Sequence, residues 1–186
     1  SNANARVSIG RTMFETDSVP AHWVRRCNER DELWLPSQFN LETFSAAGIR
    51  TPVVLVPGGI DSARYHPDVA PLSVPGARGT VFLSVFEWRY RKGWDVLLRA
   101  WANAFGPGDD VTLLLRTYAA GPSDGRHRQA VIESAIDEYL LAACGKGRHQ
   151  VAPIVVLADT LPDSALPSLY TAAHACVLPT RGEGWG

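Results

Sequence analysis

Residues 82–101 read FLSVFEWRYRKGWDVLLRAW, and this stretch decides the fold. Its beginning belongs to an apolar run from Thr80 to Phe86, whose β-branched and aromatic residues predict a strand. Its end predicts an amphipathic helix from Gly93 to Phe105. The large apolar residues that recur there at helical spacing are Trp94, Leu97, Leu98 and Trp101. A strand that leads through a short loop into a helix is the basic step of an α/β fold.

The same alternation continues on both sides of this stretch. Toward the C-terminus, further strands are predicted at Val111–Arg116, Ile154–Leu157 and Ala175–Leu178, and further helices at about His127–Cys144 and Ser164–Ala172. Toward the N-terminus, short strands are predicted at Val7–Ile9, Glu32–Leu35 and Val53–Val56, and helices at about Ala21–Arg30 and from the N-cap Ser37 to Ala47. This alternation predicts an α/β protein with a Rossmann-like, doubly wound parallel sheet.

A proline-rich stretch divides the pattern into two halves. Residues 61–79 contain three prolines and little periodicity, which is typical of a linker. We therefore predict the C-terminal part of a Rossmann-like domain at residues 4–60 and a second, incomplete domain at residues 80–186.

The composition is that of an ordinary globular protein. Of the 186 residues, 46% are hydrophobic and 20% are charged. The formal net charge of -1 gives no basic field, so we expect no nucleic-acid partner. No apolar run approaches the roughly 18 residues of a membrane span. The three cysteines form no CxxC pair and the five histidines show no metal-ligand spacing, so neither a zinc site nor a disulfide framework is expected.

Three loop sequences stand out because each combines glycine with charged residues after a predicted strand. They are PGGID at residues 57–61, RYRKG at residues 89–93 and GEGWG at residues 182–186. Taken singly, each has an ordinary interpretation: a strand-terminating turn, a solvated run of charge, and a turn around one carboxylate. Cations before a helix N-terminus oppose the helix dipole, however, and are better explained if they face a bound anion.

In this order and spacing, the three loops resemble those of GT-B glycosyltransferases of the family 4, or group 1, type. The stretch PGGIDSARYHP at residues 57–67 is similar to the family's hinge, and residues 82–101 resemble the start of its donor-binding domain. VLPTRGEGWG at residues 177–186 resembles the start of its EX7E motif, in which two glutamates lie eight positions apart. The resemblance runs from about Ile9 to Gly186. It implies that residues 4–60 belong to an acceptor domain and residues 80–186 to a nucleotide-sugar donor-binding domain. It implies a retaining, metal-independent enzyme without a cofactor, whose partners are a nucleotide-sugar donor and an unknown acceptor: a glycan, a lipid or a small molecule.

The resemblance also implies roles for individual residues. Lys92 matches the family lysine that contacts the donor diphosphate, where its charge would stabilise the leaving nucleotide. Glu183 matches the first glutamate of the EX7E motif, which contacts the transferred sugar, and is the predicted catalytic residue. The other predicted donor-binding residues are Arg89, Arg91, Gly93, Arg116, Thr117, Tyr118, Gly184, Trp185 and Gly186.

The sequence departs from the family pattern at the phosphate loop. Phe86 and Glu87 stand where the family has a Gly-Arg pair, so a carboxylate replaces an expected cation. Arg89 or Arg91 could compensate for it. The alternative function is a non-catalytic nucleotide-sugar or phosphate-binding module of the same fold. A Rossmann oxidoreductase and a P-loop NTPase are disfavoured, because the GxGxxG and GxxxxGK[ST] motifs are absent from the sequence.

The second glutamate of the EX7E motif would fall beyond Gly186. We therefore expect the sequence to be a fragment of a longer protein, inactive by itself. Exposed apolar sheet surface predicts that the fragment self-associates. We expect a cytoplasmic location, with a peripheral membrane position of the full-length protein left open.

Overall fold

The computed structural model describes residues 5–118, 125–158 and 161–184 of the chain. Within them, strands and helices alternate as the sequence predicts. The strands are β1 (Ile9–Arg11), β2 (Glu32–Leu35), β3 (Val53–Leu55), β4 (Thr80–Glu87), β5 (Val111–Tyr118), β6 (Ile154–Leu157) and β7 (Ala175–Cys176). The helices are α1 (Ala21–Asn28), α2 (Gln38–Ala46), α3 (Trp94–Ala104), α4 (Gly125–Cys144) and α5 (Leu166–Thr171). None of the helices in this part of the chain combines the length and the apolar character that a membrane span requires.

The chain divides into two compact units. The first comprises Ser1–Ile60 together with Gly182–Gly186, and the second comprises Asp61–Arg181. The stretch predicted as a linker, residues 61–79, contains no helix or strand and belongs to the second unit. There the backbone N–H of Leu72 donates to the carbonyl of Ser168 over 2.8 Å, and Leu72 packs against the core beneath α5.

The first unit is a small parallel sheet in the order β1-β2-β3 with α1 and α2 on one face. The alternation of β2 places Leu33 and Leu35 in the core, where both are fully buried. Phe44 of α2 packs on the same cluster. The hydroxyl of Ser37 accepts a hydrogen bond from the Asn40 N–H at 3.2 Å, which confirms the predicted N-cap of α2.

The second unit contains a four-stranded parallel sheet in the order β6-β5-β4-β7. One face carries Phe86, Leu113 and Leu115, and α3 and α4 cover it. The other face carries Val81, Leu83 and Leu114, on which Leu169 of α5 packs. Helices therefore cover both faces of a parallel sheet, and the predicted doubly wound α/β fold is confirmed.

The strand order of the second unit determines where a ligand site can form. β5 lies on one side of β4 and β7 on the other, so the direction of winding reverses at β4. In open α/β sheets, ligands bind at the carboxyl ends of the strands at such a switch point. All four strands are parallel, and the loops after β4 and β7 are the ones that flank the switch point at this edge.

Several element boundaries differ from the prediction. β1 begins at Ile9, where it was predicted to end, and β5 continues beyond Arg116 to Tyr118. β7 was expected to reach Leu178, but only Ala175 and Cys176 lie in the ladder, although the Val177 N–H still donates to the Leu83 carbonyl at 2.8 Å. The helix expected from Ser164 begins as a 3₁₀ turn, Asp163–Ala165. Pro167 sits in the first turn of α5, where its missing N–H is tolerated.

Candidate functional site

The RYRKG loop, residues 89–93, connects β4 to α3 at the switch point. It folds as a single 3₁₀ turn, Tyr90–Lys92, in which the Lys92 N–H donates to the Arg89 carbonyl at 2.9 Å. The stacked rings of Trp88 and Trp94, with centroids 4.9 Å apart, brace the two ends of the loop. The loop therefore has a defined conformation between a buried strand and a packed helix.

Gly93 brings this loop against the loop that follows β7. It adopts a left-handed conformation with φ 73°, which favours glycine. A Cβ atom at this position would lie 1.9 Å from the carbonyl oxygen of Pro179, much closer than any real contact. Gly93 is thus required by its own conformation and by the close approach of the loop at residues 179–181.

Arg181 connects the same two loops by hydrogen bonds. Its backbone N–H donates to the Arg91 carbonyl at 2.8 Å, and its Nη1 donates to the Tyr90 carbonyl at 2.7 Å. Its guanidinium lies 3.9 Å from the centroid of the Tyr90 ring. It also forms a bidentate ion pair with Asp95 of α3, in which Nη1 donates to Oδ1 and Nη2 donates to Oδ2, each over 2.8 Å. The loop at residues 179–181 is therefore anchored to the RYRKG loop within the second unit.

Hydrogen bonds from the Arg181 guanidinium lower the pKa of the Asp95 carboxyl below its usual range. A carboxylate in the first turn of α3 also suits the helix dipole. The ion pair between Asp95 and Arg181 was not predicted from the sequence. An acidic residue in the first turn was the available signal for Asp95, but it does not reveal a partner 86 positions away.

Glu87 at the end of β4 and Arg89 at the start of the RYRKG loop form an ion pair. Nε of Arg89 lies 2.7 Å from Oε2 of Glu87. The Glu87 side chain is 23% exposed and the Arg89 side chain 60% exposed. Arg89 or Arg91 was expected to compensate for Glu87 as a donor-binding cation. In the structure the charge of Arg89 is balanced by Glu87 itself.

The three predicted residues at the end of β5 have different surroundings. Thr117 is fully buried and pairs with Phe86 of β4. Tyr118 pairs with Glu87 and is 48% exposed, and its carbonyl accepts a hydrogen bond from the Trp88 N–H at 2.8 Å. Nη1 of Arg116 lies 3.4 Å from the Leu157 carbonyl. Of the three, Tyr118 is the most exposed and the nearest in register to the RYRKG loop.

The predicted catalytic residue, Glu183, belongs to the first unit, as does Gly184. Both line a cavity of about 530 Å³, together with the segment Met13–Thr16 after β1 and with Trp23 of α1. Trp185 and Gly186, which were also predicted to bind the donor, lie outside the described residues. The segment Met13–Thr16 was not among the predicted site residues, and no motif in the sequence marked it.

Within the described ranges, no group of three or more His, Cys, Asp or Glu residues is arranged to hold a metal ion. The charged groups that gather at the switch point are Glu87, Arg89 and the Asp95–Arg181 pair, with the cations of Arg91 and Lys92 in the same loop. Such an arrangement can bind an anion by charge and by backbone N–H groups at the end of a parallel sheet.

No protein-family model matches the sequence, and no curated protein matches it. Solved structures do match the fold. OtsA in its apo form has a TM-score of 0.65 at 14% identity, over 100% of this chain and 49% of that one. A trehalose-6-phosphate synthase studied with bisubstrate glycomimetics has a TM-score of 0.62 at 13% identity, and the match covers 89% of this chain and 43% of the synthase. A third match is a variant of S. aureus TarM in complex with fondaparinux, α-GlcNAc-glycerol and UDP. Its TM-score is 0.64 at 9% identity, and the match covers 100% of this chain and 35% of TarM.

The chain has the GT-B fold. The predicted resemblance to GT-B glycosyltransferases is thereby confirmed at the level of architecture. At these identities the similarity shows the fold alone, and the chain spans less than half the length of the structures it matches.

Proposed function

We propose that the protein is a retaining glycosyltransferase that transfers a sugar from a nucleotide-sugar donor to an acceptor. The observation that carries the proposal is the pair of interlocked loops at the switch point of the second unit, in which Gly93 and Arg181 join the RYRKG loop to the loop that follows β7. The structurally similar S. aureus TarM variant is in complex with UDP, which supports a nucleotide-sugar donor. The acceptor remains a glycan, a lipid or a small molecule.

The RYRKG loop is proposed to hold the donor diphosphate. Lys92 would place its ammonium group near the diphosphate, where negative charge grows as the bond to the sugar breaks. Preorganised charges of this kind contribute about 3 to 4 kcal/mol to a transition state. The support from the structure is the loop's defined turn before α3, braced by Trp88 and Trp94. The proposal includes no metal ion and no cofactor.

Glu183 is proposed to contact the transferred sugar, with the backbone N–H of Gly184 as a further donor. A carboxylate accepts hydrogen bonds from sugar hydroxyls, and glycine permits a close approach of the backbone. Transfer with retention is supported by the structural similarity to the trehalose-6-phosphate synthase that was studied for enzymatic glycosyltransfer with retention. Tyr118 is proposed to line the donor site from the end of β5.

A second candidate function, a binding module without catalysis, is favoured by the ion pair between Glu87 and Arg89. If Glu87 weakens the phosphate site, replacing it by glutamine should release Arg89 for an anion. An increase of tenfold or more in nucleotide affinity in Glu87→Gln would support the binding module. An unchanged affinity would mean that the remaining cations suffice, as the glycosyltransferase proposal requires.

The proposal is tested by thermal unfolding of the chain with UDP, GDP or ADP and with their sugar conjugates. A ligand at about 100 times its dissociation constant adds about 2.7 kcal/mol to stability. For a chain of this size, the melting temperature should rise by roughly 2 to 4 °C for each kcal/mol. We expect a rise with the nucleotides of one base. No rise with any of them would count against a donor site in this chain.

A further inference from the structure

A small cavity of the first unit lies between α1 and the strands β1 and β2. Its described lining residues are Gly10, Thr12, Trp23, Arg26, Cys27, Arg30 and Leu33. All of them belong to the first unit, so the cavity is separate from the RYRKG loop of the second unit. Its volume of about 260 Å³ suits a small ligand. Two of the lining residues are arginines and none is acidic.

One face of α1 brings two positive charges to this cavity. Trp23, Arg26 and Cys27 are three and four positions apart, so they share a face of the helix. Arg30 continues this face beyond the end of the helix, in a turn where its backbone N–H donates to the Cys27 carbonyl at 3.0 Å. Helices usually place apolar residues beside a buried position such as Cys27. Two arginines at that place are better explained by a bound anion.

Gly10 of β1 lets the side chain of Arg30 pack closely against the sheet. A Cβ atom built on Gly10 would lie 2.8 Å from Cδ2 of Leu33 and 3.3 Å from Cγ of Arg30. The aliphatic stem of Arg30 therefore lies on the backbone of β1, and the residue is partly buried. A guanidinium whose stem is already held loses less conformational entropy when it binds a ligand.

The ionisable groups near Arg30 do not neutralise the two arginines. Burial raises the pKa of the Cys27 thiol, although the charge of Arg30 opposes this, so the thiol is uncharged at neutral pH. Asp31 accepts hydrogen bonds from the backbone N–H and the hydroxyl of Ser8, each over 2.8 Å. These bonds, with a smaller contribution from the charge of Arg30, lower the pKa of Asp31. Among the described residues, no carboxylate forms an ion pair with Arg26 or Arg30.

We propose that this cavity is a phosphate site, in which Arg26 and Arg30 bind a phosphate dianion and the hydroxyl of Thr12 donates to it. Planar guanidinium groups bind phosphate oxygens through paired hydrogen bonds. A phosphate monoester carries a charge of about −1.5 to −2 at pH 7, which matches two arginines. Trp23 adds an aromatic wall, so the ligand is a monoester of a small organic group rather than inorganic phosphate.

The test is isothermal titration of the chain with phenyl phosphate, inorganic phosphate and phenol. The ionic strength is held constant, because salt screens exposed charges. We expect phenyl phosphate to bind more tightly than inorganic phosphate and phenol to bind least. Phenol that binds as tightly as phenyl phosphate, or no binding of either phosphate, would overturn the proposal. Equal affinity for the two phosphates would overturn the assignment of a monoester and leave a site for free phosphate.

Substitutions on α1 assign the binding to this cavity. The affinity for phenyl phosphate should fall by about tenfold or more in Arg26→Gln and in Arg30→Gln. Arg25→Gln is the matched control, since Arg25 is equally exposed in the last turn of α1 but does not line the cavity. Both Arg25 and Arg26 suit the helix dipole, so a dipole role alone predicts similar effects of the two substitutions. Equal losses of affinity in Arg25→Gln and Arg26→Gln would therefore contradict the site.

Two further measurements separate this inference from the proposed function. Phenyl phosphate should slow the alkylation of Cys27, which lines the cavity, but not that of Cys176 in the second unit, as read by peptide mass spectrometry. Its affinity should be unchanged in Lys92→Gln. Affinity that is lost in Lys92→Gln and kept in Arg26→Gln would assign the phosphate to the RYRKG loop and overturn the cavity site. A chain that binds phenyl phosphate at the cavity but no nucleotide would keep this inference and lose the proposed donor site.

Discussion

Gly93 is the residue on which the contact between the two loops of the second unit depends. Its φ of 73° is left-handed, and the Pro179 carbonyl occupies the space where a side chain would begin. The sequence marks it only as a glycine before a helix. Its second role arises from Pro179, 86 positions away in the chain. That role depends on the pairing of β4 with β7.

Replacing Gly93 by alanine should destabilise the chain by about 2 to 4 kcal/mol, from left-handed strain and from overlap with the Pro179 carbonyl. Gly145→Ala is the matched control for strain, because Gly145 has φ 65° and no atom within 4 Å of a built Cβ. It should cost about 1 to 2 kcal/mol. Urea denaturation measures both. Equal losses in the two variants would show that the contact with Pro179 contributes nothing.

Single residues of the site could be predicted only where a motif marked them. Lys92 and Glu183 were assigned roles through the resemblance, and the structure describes both. Asp95 and Arg181 were not predicted, since an ion pair between distant residues depends on the order of the strands. The cavity-lining segment Met13–Thr16 was missed for the same reason, because only the fold brings it next to Gly182.

At the scale of elements, the N-cap of α2 is a feature that the sequence predicts and the structure confirms. Ser37→Ala should remove the hydrogen bond from the Asn40 N–H and lower the stability of the first unit by about 1 kcal/mol. Ser45→Ala, an exposed position within the same helix, should change stability by less than about 0.5 kcal/mol. Circular dichroism during urea titration distinguishes them, and indistinguishable midpoints would contradict the cap.

The ion pair between Asp95 and Arg181 connects α3 to the loop after β7, and it should respond to pH. Because the pKa of Asp95 is lowered in the folded chain, the stability it contributes is fully present above the pKa of an unfolded Asp, about 3.9. That stability is lost as the pH falls through the lower folded pKa. The difference in urea midpoint between the wild type and Asp95→Asn should therefore be constant near neutral pH and shrink below about pH 4.

The control for this pH dependence is Asp17→Asn, because Asp17 is an exposed carboxylate of the first unit. Its urea midpoint should follow that of the wild type at every pH. A difference between the wild type and Asp95→Asn that stays the same from neutral pH to about pH 3 would show that the carboxylate of Asp95 contributes no charge-dependent stability.

The strands and helices could be predicted because hydrophobic periodicity is strong in a doubly wound sheet. Val111 to Arg116 forms a continuous apolar run, and β5 indeed lies between two neighbours in the sheet. The ends of elements were less predictable. β5 continues to Tyr118 because β4 offers partners as far as Glu87. β7 includes only Ala175 and Cys176, although the apolar run in the sequence continues to Leu178.

At the scale of the whole molecule, exposed apolar residues predict self-association. Ile9 and Val54 lie on the face of the first sheet opposite the buried Leu33, and they are 48% and 42% exposed. We expect a dimer or larger assembly in light scattering at tens of micromolar. Val54→Lys should shift the distribution toward the monomer, whereas Val131→Lys, at an exposed position of α4, should not. A wild-type chain that is monomeric at these concentrations would contradict the expectation.

We propose that the RYRKG loop of this fold binds the diphosphate of a nucleotide-sugar donor. The most direct test is isothermal titration of the chain with the nucleoside diphosphate that stabilises it and with the matching monophosphate. We expect the diphosphate to bind more tightly than the monophosphate. Its affinity should fall by about tenfold or more in Lys92→Gln but not in Arg50→Gln, which removes an exposed positive charge from the first unit. Equal affinity for the two nucleotides, or equal losses in the two variants, would contradict the proposal.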